Sequence, residues 1–128
     1  VLRQVDDCGI VLAQEPFRRG EPPLIAIGFI ACAAGNPVLR YFIHRGVAAV
    51  DATLAEGETL RAWETTGPAM VTPIVEAVGC RAILPAHRFF PEYWDSTEHW
   101  QTPREDLARL YPDSLMYQFG FSTNQLAG

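Results

Sequence analysis

The sequence predicts an α/β fold, a mixed sheet with flanking helices, and three observations carry that expectation. Short apolar runs of strand length alternate with longer stretches whose apolar residues recur every three to four positions. Two phrases, Gly35-Asn36-Pro37 and Thr66-Gly67-Pro68, have the chemistry of helix starts, with proline where a first helical residue loses nothing by lacking an N–H. Of the 128 residues, 48% are apolar and 20% charged, a balance that builds a core and does not belong to a disordered chain.

Composition also excludes some functions. The net charge is -5, every one of the ten basic residues is arginine, and none of them forms a run. A nucleic-acid groove needs a basic patch, so nucleic acid is not an expected partner. Cys8, Cys32 and Cys80 are far apart and lack metal-ligand spacing, so they are expected to be buried free thiols. Leu24 to Ala34 is the longest apolar stretch and is too short to span a bilayer. The chain opens at Val1 in a phrase that reads as the interior of a longer one. It is therefore expected to be a single domain over residues 1–128 that forms the C-terminal portion of a larger fold, with an N-terminal half preceding it.

Taken in order, Asp6-Asp7-Cys8-Gly9 is turn chemistry, and Ile10-Val11-Leu12-Ala13 is a strand ending at Gln14-Glu15-Pro16. Residues 17–23 mix charges, a glycine and two prolines, as an exposed loop does. Leu24 to Cys32 is apolar on both faces, which predicts a central strand covered above and below, with Gly28 marking a close approach to its backbone. Asn36 then caps a helix whose stripe is Val38, Leu39, Phe42, Ile43 and Val47. His44 lies beside that stripe and reads as a packed or solvated histidine, not a ligand. Glu56-Gly57-Glu58 breaks the helical pattern.

The next helix starts at Thr66 or Gly67, carries Met70, Val71, Ile74, Val75 and Val78 at helical spacing, and stops at Gly79. Pro73 removes one of its hydrogen bonds, which predicts a kink there or a true start at Thr72. Ala82-Ile83-Leu84 is a strand that Pro85 ends. Beyond Pro91 the chain turns polar and aromatic. Thr102-Pro103-Arg104-Glu105 reads as a capped helix start with Thr102 as the cap, and Leu115 to Phe119 as a last strand.

The helix beginning at Thr66-Gly67-Pro68 offers backbone N–H groups and the positive end of a helix dipole, a seat for a phosphate or a sugar hydroxyl. The same residues also serve as a cap that simply begins a helix. Glu64 just ahead is either a carboxylate at a cleft mouth or a solvated acid. Gln14 and Glu15 end a strand at the sheet edge where α/β sites gather. Trp94, His99 and Trp100 present rings that stack on a sugar or pack a loop.

Four blocks in this order resemble a known family: Asp6-Asp7 with Val11-Leu12-Ala13-Gln14-Glu15; Ile27-Gly28-Phe29-Ile30-Ala31 with Gly35-Asn36-Pro37; Thr66-Gly67-Pro68; and Ile83-Leu84-Pro85 with Phe89-Phe90-Pro91. Together they are similar to glycosyltransferase family thirty-two, the transferases with a DXD-containing sugar-binding region, over residues 1 to about 121. The resemblance implies a GT-A, Rossmann-like fold. It also implies retaining transfer of a hexose from a UDP- or GDP-sugar to a glycan or glycolipid acceptor, and Mn²⁺ or another divalent metal at the diphosphate. It implies the Golgi lumen for a eukaryotic relative, and the cytoplasm or membrane surface for a bacterial one.

Thr66, Gly67 and Pro68 match the helix start that faces the sugars, with Glu64 before them. By the same resemblance His87 and Phe90 border the pocket near Pro91, while Phe89 and Phe90 also read as core. In such proteins the Asp-x-Asp lies just upstream of the phrase matched by residues 1–7, so this chain is expected to bind no metal alone, and no catalytic residue is assigned. Relatives often carry Asn where Ile27 stands, and a His in the last strand where Gln118 stands. A carboxamide oxygen accepts hydrogen bonds and ligates hard metals weakly, but it does not replace an imidazole. Gly67→Val is expected to block transfer and spare the fold. The alternative from another class is a non-catalytic sugar- or nucleotide-binding module, or an α/β interaction domain.

Overall fold

A computed structural model describes residues 8–118. The elements run β1 (Ile10–Gln14), β2 (Ile25–Cys32), α1 (Pro37–Ala55), α2 (Ala62–Thr65), α3 (Pro68–Val78), β3 (Ile83–Leu84), a 3-10 turn (Ala86–Arg88) and α4 (Arg104–Leu110). The α/β class therefore stands. Among the described residues the sheet has the order β2-β1-β3, with β1 antiparallel to β2 and parallel to β3. No helix among them is long and apolar enough to cross a membrane.

Alternation along β1 decides the packing. Ile10 and Leu12 turn to one face, where they meet Val38 and Phe42 of α1, Val71 and Val75 of α3, and Ile25 and Cys80. Ala13 turns to the other face and joins Ala26, Phe89 and Phe90. The two small alanines leave room there for the rings, and Phe29 stacks on Phe89 with centroids 4.0 Å apart. Leu12, Val71 and Val75 are fully buried, and burial of such side chains contributes roughly 1.5–3 kcal/mol each.

Two polar side chains fasten these layers. Buried Asn36 accepts from the N–H groups of Val38 (2.9 Å) and Leu39 (3.1 Å), capping α1 as its sequence implied. Its Nδ2 donates to the carbonyls of Cys8 (2.8 Å) and Gly9 (3.1 Å), which ties the start of α1 to the approach to β1. Buried Thr72 accepts from Ile25 N–H at 2.9 Å and donates to the Pro68 carbonyl at 2.7 Å, bolting α3 to the start of β2.

Several expectations need correction. The long apolar strand β2 lies outside β1 in the sheet, and Ile27 is 46% exposed. Its register explains the misreading. Ala13 pairs with Ala26 but Leu12 with Ile30, so Ile27, Gly28 and Phe29 bulge out of the ladder and the two-residue alternation is lost. In α1 the buried line is Val38, Phe42 and Gly46, while Ile43 and Val47 are more than half exposed. Gly46 faces inward because its missing side chain admits Thr66 and Met70. His44 is exposed.

Helix α3 does not begin at Thr72: it starts at Pro68, runs through Pro73 and ends at Gly79, whose φ is +79°. Pro73 forfeits the bond to the Ala69 carbonyl, and the Thr72 anchors hold the turn regardless. Thr102 does not cap α4; Pro103 occupies that position and the Thr102 hydroxyl meets His99. Residues 115–118 form no strand, although Leu115 N–H donates to the Arg88 carbonyl at 2.7 Å. Phe119, the end of that expected strand, lies outside the described residues.

Candidate functional site

Parallel pairing of Leu12 with Ile83 and Ala13 with Leu84 makes two chain segments leave the sheet at the same edge, Gln14–Glu15 and Pro85–Arg88. Ligands of α/β sheets gather at such carboxyl ends. Gln14 lines a hollow of about 290 Å³ there, with Pro23, Ile25, Thr72 and Arg81. Glu15 is half-buried, and burial pushes its carboxyl above the usual carboxylate range. His87 is exposed on the 3-10 turn, and its carbonyl accepts from the Ser114 hydroxyl.

The β2 bulge brings in the last nominated residue. A Cβ placed on Gly28 would lie 3.1 Å from Gln118 Oε1 and 3.2 Å from the Phe90 ring. The close approach read from Gly28 is therefore real, and its occupants are a carboxamide and an aromatic ring. Bulges recur beside active sites because they re-aim side chains.

Next to Gln118 begins a polar hub. Glu92 Oε1 accepts from the Tyr111 hydroxyl and lies 3.2 Å from His99 Nε2. Its Oε2 accepts from Tyr117 at 2.5 Å and Ser96 at 2.7 Å. Four donors thus fill the roughly four acceptor positions of one carboxylate. Burial pushes the Glu92 carboxyl up, but the three hydroxyls and His99 outweigh it and hold the group below the usual range. Burial and the Glu92 carboxylate push Tyr111 up to about 12, and they drive Tyr117 up as well. His99 Nδ1 rests 3.2 Å from Thr102 Oγ1, which orients the ring.

The ligand atoms of Glu92, His99 and exposed Glu98 lie within 4.8 Å of one another, so these three can hold a metal ion. Two carboxylates and an imidazole suit Mn²⁺ or Zn²⁺, and Thr102 Oγ1 beside His99 Nδ1 would fix the orientation of a ligating ring. A cation there would take the place of the His99–Glu92 contact. Metal ligation was not expected of this chain. Glu92, Glu98 and His99 are close in sequence but show no regular ligand spacing, whereas the hub around Glu92 escapes sequence reading because Tyr111 and Tyr117 lie 19 and 25 residues away. The local signal was the density of acids and rings after Pro91.

A strap closes over the hub's flank. Arg18 in the β1–β2 loop bonds both oxygens of Asp95 at 2.7 and 2.8 Å, and its guanidinium lies 3.9 Å from the Tyr93 ring centroid. The Tyr93 hydroxyl donates to Glu21 at 2.7 Å. Trp94, nominated for stacking, tilts against Tyr93 with centroids 5.0 Å apart and is 46% exposed.

The helix start is placed differently. Gly67 and Pro68 are buried, and the N–H groups of Met70 and Val71 both turn back to the Gly67 carbonyl. Thr66 closes α2, its hydroxyl donating to the Ala62 carbonyl at 3.2 Å. A Cβ on Gly67 would lie 2.6 Å from the Trp63 carbonyl oxygen and 2.7 Å from its Cα. Gly67→Val therefore strikes the chain's own backbone and does not spare the fold, contrary to the sequence expectation. Glu64 is exposed, pairs with Arg61 at 3.3 Å, and lines a groove of about 930 Å³ between α1 and the α2–α3 pair. Gln14, His87 and Gln118 are not part of that lining. The nominated residues thus divide between the sheet edge and the helical groove. Comparison of the chain with family models, with curated proteins and with solved structures finds no match.

Proposed function

We propose that these residues form part of a GT-A-type hexosyltransferase, which moves a hexose from a UDP- or GDP-sugar to a glycan or glycolipid acceptor with retained configuration. The observation that supports it is physical convergence of the resembling blocks. The first block is β1; the second is β2 with Asn36, whose amide bonds Cys8 and Gly9. The fourth is β3 with Phe89, stacked on Phe29 of the second. The third block, Thr66-Gly67-Pro68, stands apart from this sheet at the α2–α3 junction, and Asp6-Asp7 of the first lie outside the described residues.

The reading places the sugar nucleotide at the carboxyl edge, with Gln14, Glu15, His87 and Gln118 bounding it. Gln118 offers an amide donor and a carbonyl acceptor to sugar hydroxyls. Glu92, Glu98 and His99 are the side chains that would hold Mn²⁺. When bound, such a cation supplies charge that neutralises a diphosphate leaving group. One observation favours a second reading, a binding module without turnover: Gln118 stands where the resembled family carries a histidine.

The test is transfer by the full encoded protein with Mn²⁺, UDP- and GDP-hexoses and glycan acceptors, followed by mass spectrometry. Product that disappears with chelator, and a kcat/KM at least tenfold lower in Gln118→Ala, is the expected result. Nucleotide-sugar binding without product establishes the second reading. Neither binding nor product overturns both.

A further inference from the structure

We propose that the groove between α1 and the α2–α3 pair binds a neutral oligosaccharide; calling that ligand the acceptor rests on the transferase reading, whereas the binding itself does not. At about 930 Å³ the groove has the volume of a ligand site for several sugar rings. Its ionic groups balance: Arg45 and Arg61, with Glu58 and Glu64, all line the same space. A site selecting a phosphate or a polycation carries one sign of charge in excess, and this one does not.

The groups are also suited to diols. Guanidinium forks present paired donors and carboxylates paired acceptors, which is what adjacent sugar hydroxyls require. Arg61 and Glu64 are held by their mutual bond at 3.3 Å. The Arg45 and Glu58 side chains have no partner among the described residues, which leaves their hydrogen-bonding capacity for a ligand. Hydroxyls of Thr59 and Thr65 extend the polar lining. Met70, Pro73 and Ile74 form an apolar strip against which the C–H face of a pyranose can lie. Gly46 lets Thr66 and Met70 pack close against α1, and the α1–α2 loop adds Gly57, Glu58 and Thr59 to the lining.

The experiment is amide chemical-shift mapping and calorimetry of the full chain with neutral hexose tri- to pentasaccharides. A sulfated oligosaccharide and a UDP-hexose serve as comparison ligands, each at low salt and at 0.5 M salt as an order-of-magnitude contrast. Shifts confined to the groove, binding indifferent to salt, and at least fivefold weaker binding in both Arg45→Ala and Glu64→Gln are expected. Both side chains are exposed, so an unchanged melting midpoint confirms that each variant folds. Shifts clustered at Gly28 and Gln118, binding of the sulfated ligand alone, or no shifts at all overturn the proposal. Groove binding without any sugar transfer leaves it standing while the transferase reading falls. Transfer that Arg45→Ala leaves untouched keeps the transferase reading and overturns only the identification of the groove's ligand as the acceptor.

Discussion

The sheet with α1 and α3, and the segment from Glu92 to Tyr117, are held together by different physics. The first is an apolar interior closed by Leu12, Val71 and Val75, with Asn36 and Thr72 as its buried polar fasteners. The second has one short helix, and one carboxylate gathers hydroxyls and an imidazole from three places in the chain. Burial of hydrocarbon does not titrate, whereas a charged acceptor does. The difference teaches that the molecule should fail in two steps under acid and in one step under a core mutation.

The largest effect is expected from Leu12→Ala, a loss of roughly 2–5 kcal/mol from an interior strand. Denaturant melts should then show sheet and hub signals falling together; a hub that outlives the sheet breaks the comparison. Thr72→Val removes the acceptor for Ile25 N–H and should cost about 1–3 kcal/mol. Slow-exchanging amides in α3 and β2 should lose protection first.

Glu92→Gln replaces a charged acceptor by an amide that cannot take four donors, at about 1–2 kcal/mol. Its mark is local: amide exchange speeds up across residues 92–117 while β1 stays protected. Equal acceleration in β1 would mean that the two regions are one cooperative unit.

pH sharpens the contrast further. Glu92 is held below its ordinary 4.5, so its contribution is complete above that value and is lost as pH falls through the lower folded value. Tyr111 moves the other way, from 10.0 to about 12, so its contribution is complete below its ordinary value and is lost as pH rises toward the folded one. The contribution of the Glu92–Tyr111 pair should be flat between these limits and fall on both sides, and Tyr111→Phe should flatten the alkaline side. The smallest effect belongs to Arg18→Ala, since its ion pair with Asp95 is exposed and screened. It should free the strap and barely move the midpoint.

What was legible in the sequence was local. Pro37 after Asn36, and Gly79 after Val78, announce helix ends through chemistry within four residues, and α1 and α3 obey them. The run Ile10 to Ala13 shows its strand directly. Long-range facts were not legible. Gly28 is the sole hint within Ile25–Cys32 that residues leave the ladder, because the ejected Ile27 is as apolar as its neighbours. Ile43 looked buried because a glycine, Gly46, carries the inward position that hydropathy cannot score. At the site, Gly28 signalled its crowded neighbour from sequence alone, while the hub needed the chain to fold back before Tyr111 and Tyr117 could meet Glu92.

The fastening at Asn36 also has a chemical lifetime. Asparagine ages when the following backbone nitrogen attacks its carboxamide, closes a succinimide ring and opens it to aspartate. Pro37 supplies a nitrogen with no hydrogen to lose, so that cyclisation has no starting point. A side chain that must donate at one end and accept at the other is thereby spared conversion into a group that only accepts.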